Sequence, residues 1–420
     1  MSSKGKSSAG AGSGSALVPE LRFPGFEKAD GWKPKRLGHF LSESRLLGSK
    51  GDVAKKITVK LWGRGVIAKG EAIQGSANTQ YFQRRSGQLI YSKLDFLNQA
   101  FGIIPDGLDG YESTADLPCF DISEDLSAAF ILECVKRKDF YRRVGEAADG
   151  SRVAKRIHPE TFLASEVLLP SLPEQQKIVD CLDSADALIA AQGRKVEALR
   201  AHKKGLMQQL FPQEGETQPR LRFPEFRDTG NWEVRTIGEM FSLVNGCAFK
   251  PEDWQTSGTP IIRIQNLNDP SAEFNYSQEP VPERNRVEPG DLLFAWSGTL
   301  GSSFGARIWK GPPGVLNQHI FKVMMDEQQI TLQFALLILA RVEEDIARRT
   351  HGFKSSFVHV KKSDLVKVEM LLPSPREQHR IAACLTSLDE IIAAETRKVD
   401  TLKAQKKGLM QQLFPKGGED

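Results

Sequence analysis

Apolar residues recur at alternating steps of four and three from Ile178 through Leu182, Ala185, Ile189, Val196, Leu199 and Leu206 to Leu210, with Gln192 and Lys203 filling two places in the same series. This is the a/d pattern of a coiled-coil seam and predicts one long helix. The pattern returns at Ile381, Leu385, Leu388, Ile392, Val399, Leu402, Leu409 and Leu413, with Glu395 and Lys406 as the polar members. The enclosing runs, 168–212 and 371–415, align without a gap and share 29 of 45 residues, so the chain carries a tandem duplication. Such a helix would be ~50–55 Å long at ~1.5 Å per residue. Pro212 and Pro415 stop it.

Charge along the helix predicts how two of them meet. Asp180, Asp183 and Asp186 lie in the first half; Arg194, Lys195, Arg200, Lys203 and Lys204 lie in the last. This order suits the helix dipole. It also places acidic ends beside basic ends when two copies run antiparallel. The polar seam pairs Gln192/Glu395 and Lys203/Lys406 would set register at some cost in stability. Gly193, where the second copy has Thr396, weakens its helix by up to ~1 kcal/mol.

A second repeat precedes each body. LRFPGFEKADGWKPKRLGHF at 21–40 is matched by LRFPEFRDTGNWEVRTIGEMF at 221–241. Each half thus reads as lead-in motif, body and long helix. The bodies, 42–165 and 242–368, differ nearly everywhere. In the first, 56–70 alternates as two strands around Gly63 and Gly65, 81–97 reads as strand, turn, strand, 101–113 as loop and 127–148 as helix. In the second, 258–267 and 314–325 read as strands, 287–298 as a turn into a buried strand, 332–350 as a helix and 351–365 as loop and short strand. The expected fold class is α+β: two tandem α+β domains separated by two long antiparallel coiled-coil helices, a pseudo-twofold internal repeat. The expected segments are a disordered tail at 1–18, domains at 19–167 and 213–370, helices at 168–212 and 371–415, and a tail at 416–420.

Composition narrows the function. The net charge of +4 means that any nucleic-acid surface is local. No apolar run is long enough to cross a bilayer, and the Gly/Ser-rich start has no apolar signal core. Five cysteines without a CxxC spacing fit a reduced cytoplasmic protein in which they act as small core residues. There is no GxxxxGK[ST] or GxGxxG, no Asn/Asp-Pro-Pro-aromatic tetrapeptide and no HExxH, so neither a catalytic residue nor a metal site is expected. What remains are basic and amide side chains near glycine-rich turns. Lys60, Arg64, Lys69, Arg84, Arg85, Lys93, Arg152 and Lys155 lie in the first body; Arg263, Gln265, Asn266, Ser297, Gln318, His319, Lys354 and Ser355 lie in the second. Arg and Lys pair with guanine edges and phosphates, and Asn and Gln with adenine. On residues alone, a stand-alone nucleic-acid enzyme with a cryptic nuclease or methyltransferase site, and a coiled-coil scaffold without DNA binding, stay open beside a DNA-reading module.

In LRFPEF…NW…IG, GTPIIRIQNL, GDLLFAWSG, NQHIFKV, LLPSPREQHRIAACL and KKGLMQQLFP, the chain resembles the specificity (S) subunit of type I restriction–modification enzymes. The first half carries the likeness in LRFPGF…GW…LG, IPDGLDGYESTADLP and LLPSLPEQQKIVDCL. The resemblance implies two target recognition domains, each reading one half of a split, asymmetric double-stranded DNA site. It implies that the two helices hold them apart and dock two methyltransferase (M) subunits, and that restriction (R) subunits join the complex. It further implies no catalytic site in this chain, with S-adenosylmethionine, ATP and Mg on the partners, and no membrane.

Overall fold

The computed structural model describes residues 17–70, 76–146, 156–350 and 357–415. These form two units that do not follow each other along the chain. The first holds the described residues up to Gly193 and those from Arg397 onward; the second holds Arg194–Thr396. Each copy of the repeat is one helix of 39 residues, Leu172–Leu210 and Pro375–Leu413, so each helix gives its first part to one unit and its second part to the other.

The seam positions are buried or half-buried along both helices. In the second unit, Lys195 Nζ reaches Glu395 at 3.1 Å and Lys203 Nζ reaches Asp389 at 2.6 Å, so numbers rise on one helix as they fall on the other. In the first unit, Lys406 meets the repeat-equivalent Asp186 at 2.6 Å, and Ile178 and Leu182 share a core with Leu413 and Phe414. The helices therefore run antiparallel, as their charge order predicts. Both aspartates are more than half exposed. Asp186→Asn and Asp389→Asn should each cost no more than ~1 kcal/mol, because water screens such pairs. A larger loss in urea unfolding would show that these ion pairs, and not the apolar seam, hold the helices together.

The first body is closed by a two-stranded clasp, Lys33–Arg36 antiparallel to Glu166–Leu169. Inside it, a four-stranded sheet runs in the order Leu41–Ser44, Cys119–Ile122, Leu89–Tyr91, Phe101–Ile103. Tyr91, Phe96, Phe101, Phe120 and Phe162 fill its core. The helix expected over 127–148 is two helices, Ala128–Lys136 and Lys138–Glu146, because Arg137 turns extended at ψ 140°. The loop expected over 101–113 contains the strands Phe101–Ile103 and Glu112–Ser113.

The second body has the matching clasp, Glu233–Thr236 with Glu369–Leu372. One sheet runs Phe241–Asn245, Ile320–Met325, Leu292–Ala295, Gly305–Ile308; a second runs Asn275–Ser277, Thr259–Ile262, Gly314–Leu316, Arg286–Val287. The strand expected over 258–267 stops at Ile262 and becomes the short helix Ile264–Asn268. Leu332–Thr350 is helical, as its apolar period predicts.

Cys119 and Cys134 are buried; Cys181, Cys247 and Cys384 are half-buried. Burial pushes the Cys119 thiol up to about 12, and it pushes Cys134 up as well. A thiol reagent at pH 8 should label at most three cysteines in the folded chain and five after denaturation. Native labelling of Cys119 or Cys134 would show that the first body opens.

Candidate nucleic-acid interface

The frame holds each body through the same set of contacts. In the first unit, Arg22 Nε and Nη2 both donate to the Glu174 carboxylate at 2.8 Å, and Arg22 Nη1 donates to the Ala29 carbonyl at 2.7 Å. In the second, Arg222 makes the same fork on Glu377 at 2.8 and 2.7 Å, and donates to the Thr229 carbonyl at 2.8 Å. The side chains of both pairs are at most 7% exposed. The hydrogen bond to its glutamate raises each arginine above its ordinary pKa.

The adjacent glutamine joins frame to body. Gln175 Oε1 accepts the Ser127 backbone N–H at 2.9 Å, and Gln378 Oε1 accepts that of Thr331 at 3.0 Å. Ser127 and Thr331 also cap the helices that follow them, each hydroxyl accepting the backbone N–H of the phenylalanine three residues on. Those phenylalanines complete matching aromatic triads. Phe130 stacks on Phe414 at 5.4 Å beside Trp32, and Phe334 stacks on Phe211 at 5.5 Å beside Trp232. Arg137 lies 4.9 Å over Phe414, and Arg341 lies 4.9 Å over Phe211. The otherwise unlike bodies thus share Ser/Thr-x-x-Phe-x-x-x-x-x-x-Arg at 127–137 and 331–341. Aligning the bodies on their helices would have revealed it; end-to-end comparison hides it.

Against that frame, the candidate DNA-contacting side chains separate. In the first body, Lys60, Arg64 and Lys69 are exposed on the hairpin Ile57–Val59/Val66–Ala68, Arg85 is exposed in a turn, and Lys93 is half-buried. Arg84 is a correction. It is 1% exposed and spends its donors inside, on Ser113 Oγ at 2.8 Å and on the Ser44 and Leu117 carbonyls at 2.8 and 3.1 Å. Burial lowers its pKa, and it braces the body from within. Arg152, Lys155, Lys354 and Ser355 lie outside the described residues.

In the second body, Arg263, Gln265 and His319 come together. With Ile264, Asn317 and Ile320 they line a cleft of about 170 Å³. Arg263 is held 4.6 Å over Trp254 and donates to Asn275 Oδ1 at 2.8 Å. His319 packs edge-on against Trp296 at 5.2 Å, and its Nδ1 is buried without a hydrogen-bond partner among the described residues, as is Trp296 Nε1. Gln318 is exposed beside it. Asn266 and Ser297 are corrections. Asn266 is 0% exposed; its Oδ1 accepts the Arg263 N–H at 3.1 Å and its Nδ2 donates to the Ala272 carbonyl at 3.2 Å. Ser297 is 5% exposed in a strand paired with Phe357–His359. Neither can reach a base edge without local unfolding.

Among the described residues no helix is long and apolar enough to cross a membrane, and no three His, Cys, Asp or Glu side chains gather as a metal would require.

Comparison with known proteins bears on this arrangement. The family model for the type I restriction modification DNA specificity domain matches residues 229–404. The MjaVIII type I restriction enzyme specificity subunit of Methanocaldococcus jannaschii is 22% identical over 409 residues, 93% of each chain. Among solved structures, a chain from a study of complex assembly and conformational transition in the type I R-M system superposes with a TM-score of 0.60 at 16% identity, covering 92% of this chain and 98% of that one. The type I restriction–modification S subunit of M. genitalium gives a TM-score of 0.52 at 14% identity, covering 96% of this chain and all of that one.

Proposed function

We propose that the chain is a specificity subunit of a type I restriction–modification enzyme and that it selects the DNA sequence on which a methyltransferase and restriction complex acts. One observation carries the reading: two unlike bodies are fastened to one frame by the same buried residues. A frame kept in duplicate beside bodies that differ is what independent reading of two different half-sites requires. The site is then bipartite and asymmetric.

On this reading the paired helices set the spacing between half-sites. Their outer faces dock two methyltransferase subunits, and Leu188 and Ile391, exposed at repeat-equivalent positions, supply apolar contact. Restriction subunits join through that complex. S-adenosylmethionine, ATP and Mg are bound by partners, and the assembly works in the cytoplasm. In the second body Arg263, Gln265 and His319 face the DNA from their cleft, with donors of the kind that read purine edges. The first body presents Lys60, Arg64 and Arg85.

Methylome sequencing of cells carrying this chain with its methyltransferase tests the proposal. One two-part motif with unlike halves and a fixed gap is expected. A continuous motif, or methylation that does not depend on this chain, would overturn it. The purified chain incubated alone with DNA, Mg, ATP and S-adenosylmethionine should show no turnover.

A further inference from the structure

The hairpin of the first body carries a feature that base reading and phosphate contact leave unexplained. Its two strands are anchored, with Ile57, Val59 and Val66 at most 8% exposed in a small core with Ile90, Ala100 and Ile104. Its tip reverses this: Leu61 is 39% exposed and Trp62 57%. Trp62 also has a left-handed backbone, φ 60°, a strained conformation for a residue that carries a side chain.

The tip is nevertheless held firmly. Trp62 N–H donates to the Asn98 carbonyl at 2.8 Å, Gly63 N–H to that of Gln99 at 2.9 Å, and Lys60 N–H to that of Gly65 at 2.8 Å. Gly63, at φ 64°, holds the left-handed backbone that favours glycine, with the flexible Lys136 side chain packed over it. The fold thus pins the backbone and leaves a strained, solvent-facing indole. Around it, residues 60–69 contain Lys60, Arg64 and Lys69 and no acid. These three cations make no ion pair with described residues.

We propose that Trp62 is an apolar wedge that inserts at a base step of the half-site read by the first body, with Lys60 and Arg64 gripping the flanking phosphates. This rests on the specificity-subunit reading. A rigid aromatic on a cationic tip fits duplex DNA: the indole replaces base stacking that it disrupts, and the cations neutralise the backbone on either side. Three cations spread around one indole, with no acid in the segment, match the closely spaced phosphates of a duplex.

The test uses the complex of this chain with its methyltransferase and a duplex carrying the motif found in the methylome, with 2-aminopurine in the first half-site. Wild type should bind with a rise in fluorescence as the base unstacks. Trp62→Ala should weaken binding about 10–100-fold, abolish the fluorescence rise and leave the salt dependence unchanged, because no phosphate contact is lost. Trp62→Phe should restore part of both. Lys60→Ala with Arg64→Ala should instead lower the salt slope by about 2. Trp62→Gly separates binding from folding: it relieves the left-handed strain, so it should melt no lower than wild type yet bind as poorly as Trp62→Ala. Wild-type affinity in Trp62→Ala, a changed salt slope, or loss of methyltransferase assembly in place of DNA binding would each overturn the wedge. Failure of the wild-type complex to bind any duplex would overturn the specificity reading itself.

Discussion

Glu377→Ala lowers the stability of the second unit by about 3–5 kcal/mol, and Glu174→Ala does the same to the first. The loss comes from what is left behind. Arg222 is 7% exposed at its side chain, and Glu377 takes two of its donors. Removing the carboxylate leaves a cation that water cannot reach, and an arginine cannot escape by losing its proton. The lead-in segment that Arg222 ties to the helix also carries Trp232, so the aromatic triad with Phe211 and Phe334 loosens with it. For a unit of this size the loss corresponds to roughly 2–4 °C in Tm for each kcal/mol. Replacing both partners by methionine should restore most of the stability, since neither charge is then buried alone. Calorimetry of wild type, Glu377→Ala and the double variant reads all three. A loss below ~1 kcal/mol in Glu377→Ala, no more than Asp389→Asn gives, would mean that Arg222 finds water or another acceptor.

That buried fork marks a limit of the sequence. The seam, the antiparallel sense of the helices and the hairpin at 56–70 are legible, because each depends on period, charge order or glycine placement within one segment. The partner of Glu174 is 152 residues away and that of Glu377 is 155 away, so no local pattern announces either pair. The same holds for Arg137. Its stretch has helical period throughout, yet the helix breaks there. The guanidinium reaches Phe414 and the Pro415 carbonyl at the far end of the sequence. Arg341 makes the equivalent reach to Phe211 and the Pro212 carbonyl from inside an unbroken helix, so that contact alone does not set the break. Polarity alone misplaced Arg84, Asn266 and Ser297. A basic or amide residue beside a turn looks the same whether its donors face solvent or carbonyls of its own body. Asn266 also explains the missing strand end: its side chain caps the Arg263 N–H and turns the backbone into a helix. Nor does any local signal show that residues from Arg397 onward complete the first unit.

Replacing residues 37–165 by 237–368 should give a folded chain that directs methylation to a motif in which one half-site sequence occurs twice, with the original first half lost. The cut points follow the clasps, so Lys33–Arg36 and the strand from Glu166 stay with the frame. The incoming body brings Thr331, Phe334 and Arg341 to the places of Ser127, Phe130 and Arg137, and Gln175, Trp32 and Phe414 meet the same chemistry as before. A specific site is typically bound ~10³–10⁷-fold more tightly than other DNA, so the switch should be close to complete. Phe334→Ala in the grafted copy should cost about 3–5 kcal/mol, because it empties the stacked position against Phe414. Methylome sequencing of the chimera decides the matter. Two changed halves would mean that the bodies read DNA jointly; an unchanged motif would mean that the frame does the reading. A chimera that fails to fold while the isolated joint residues are intact would show that the body contacts the frame through more than the clasp, the glutamine and the aromatic triad.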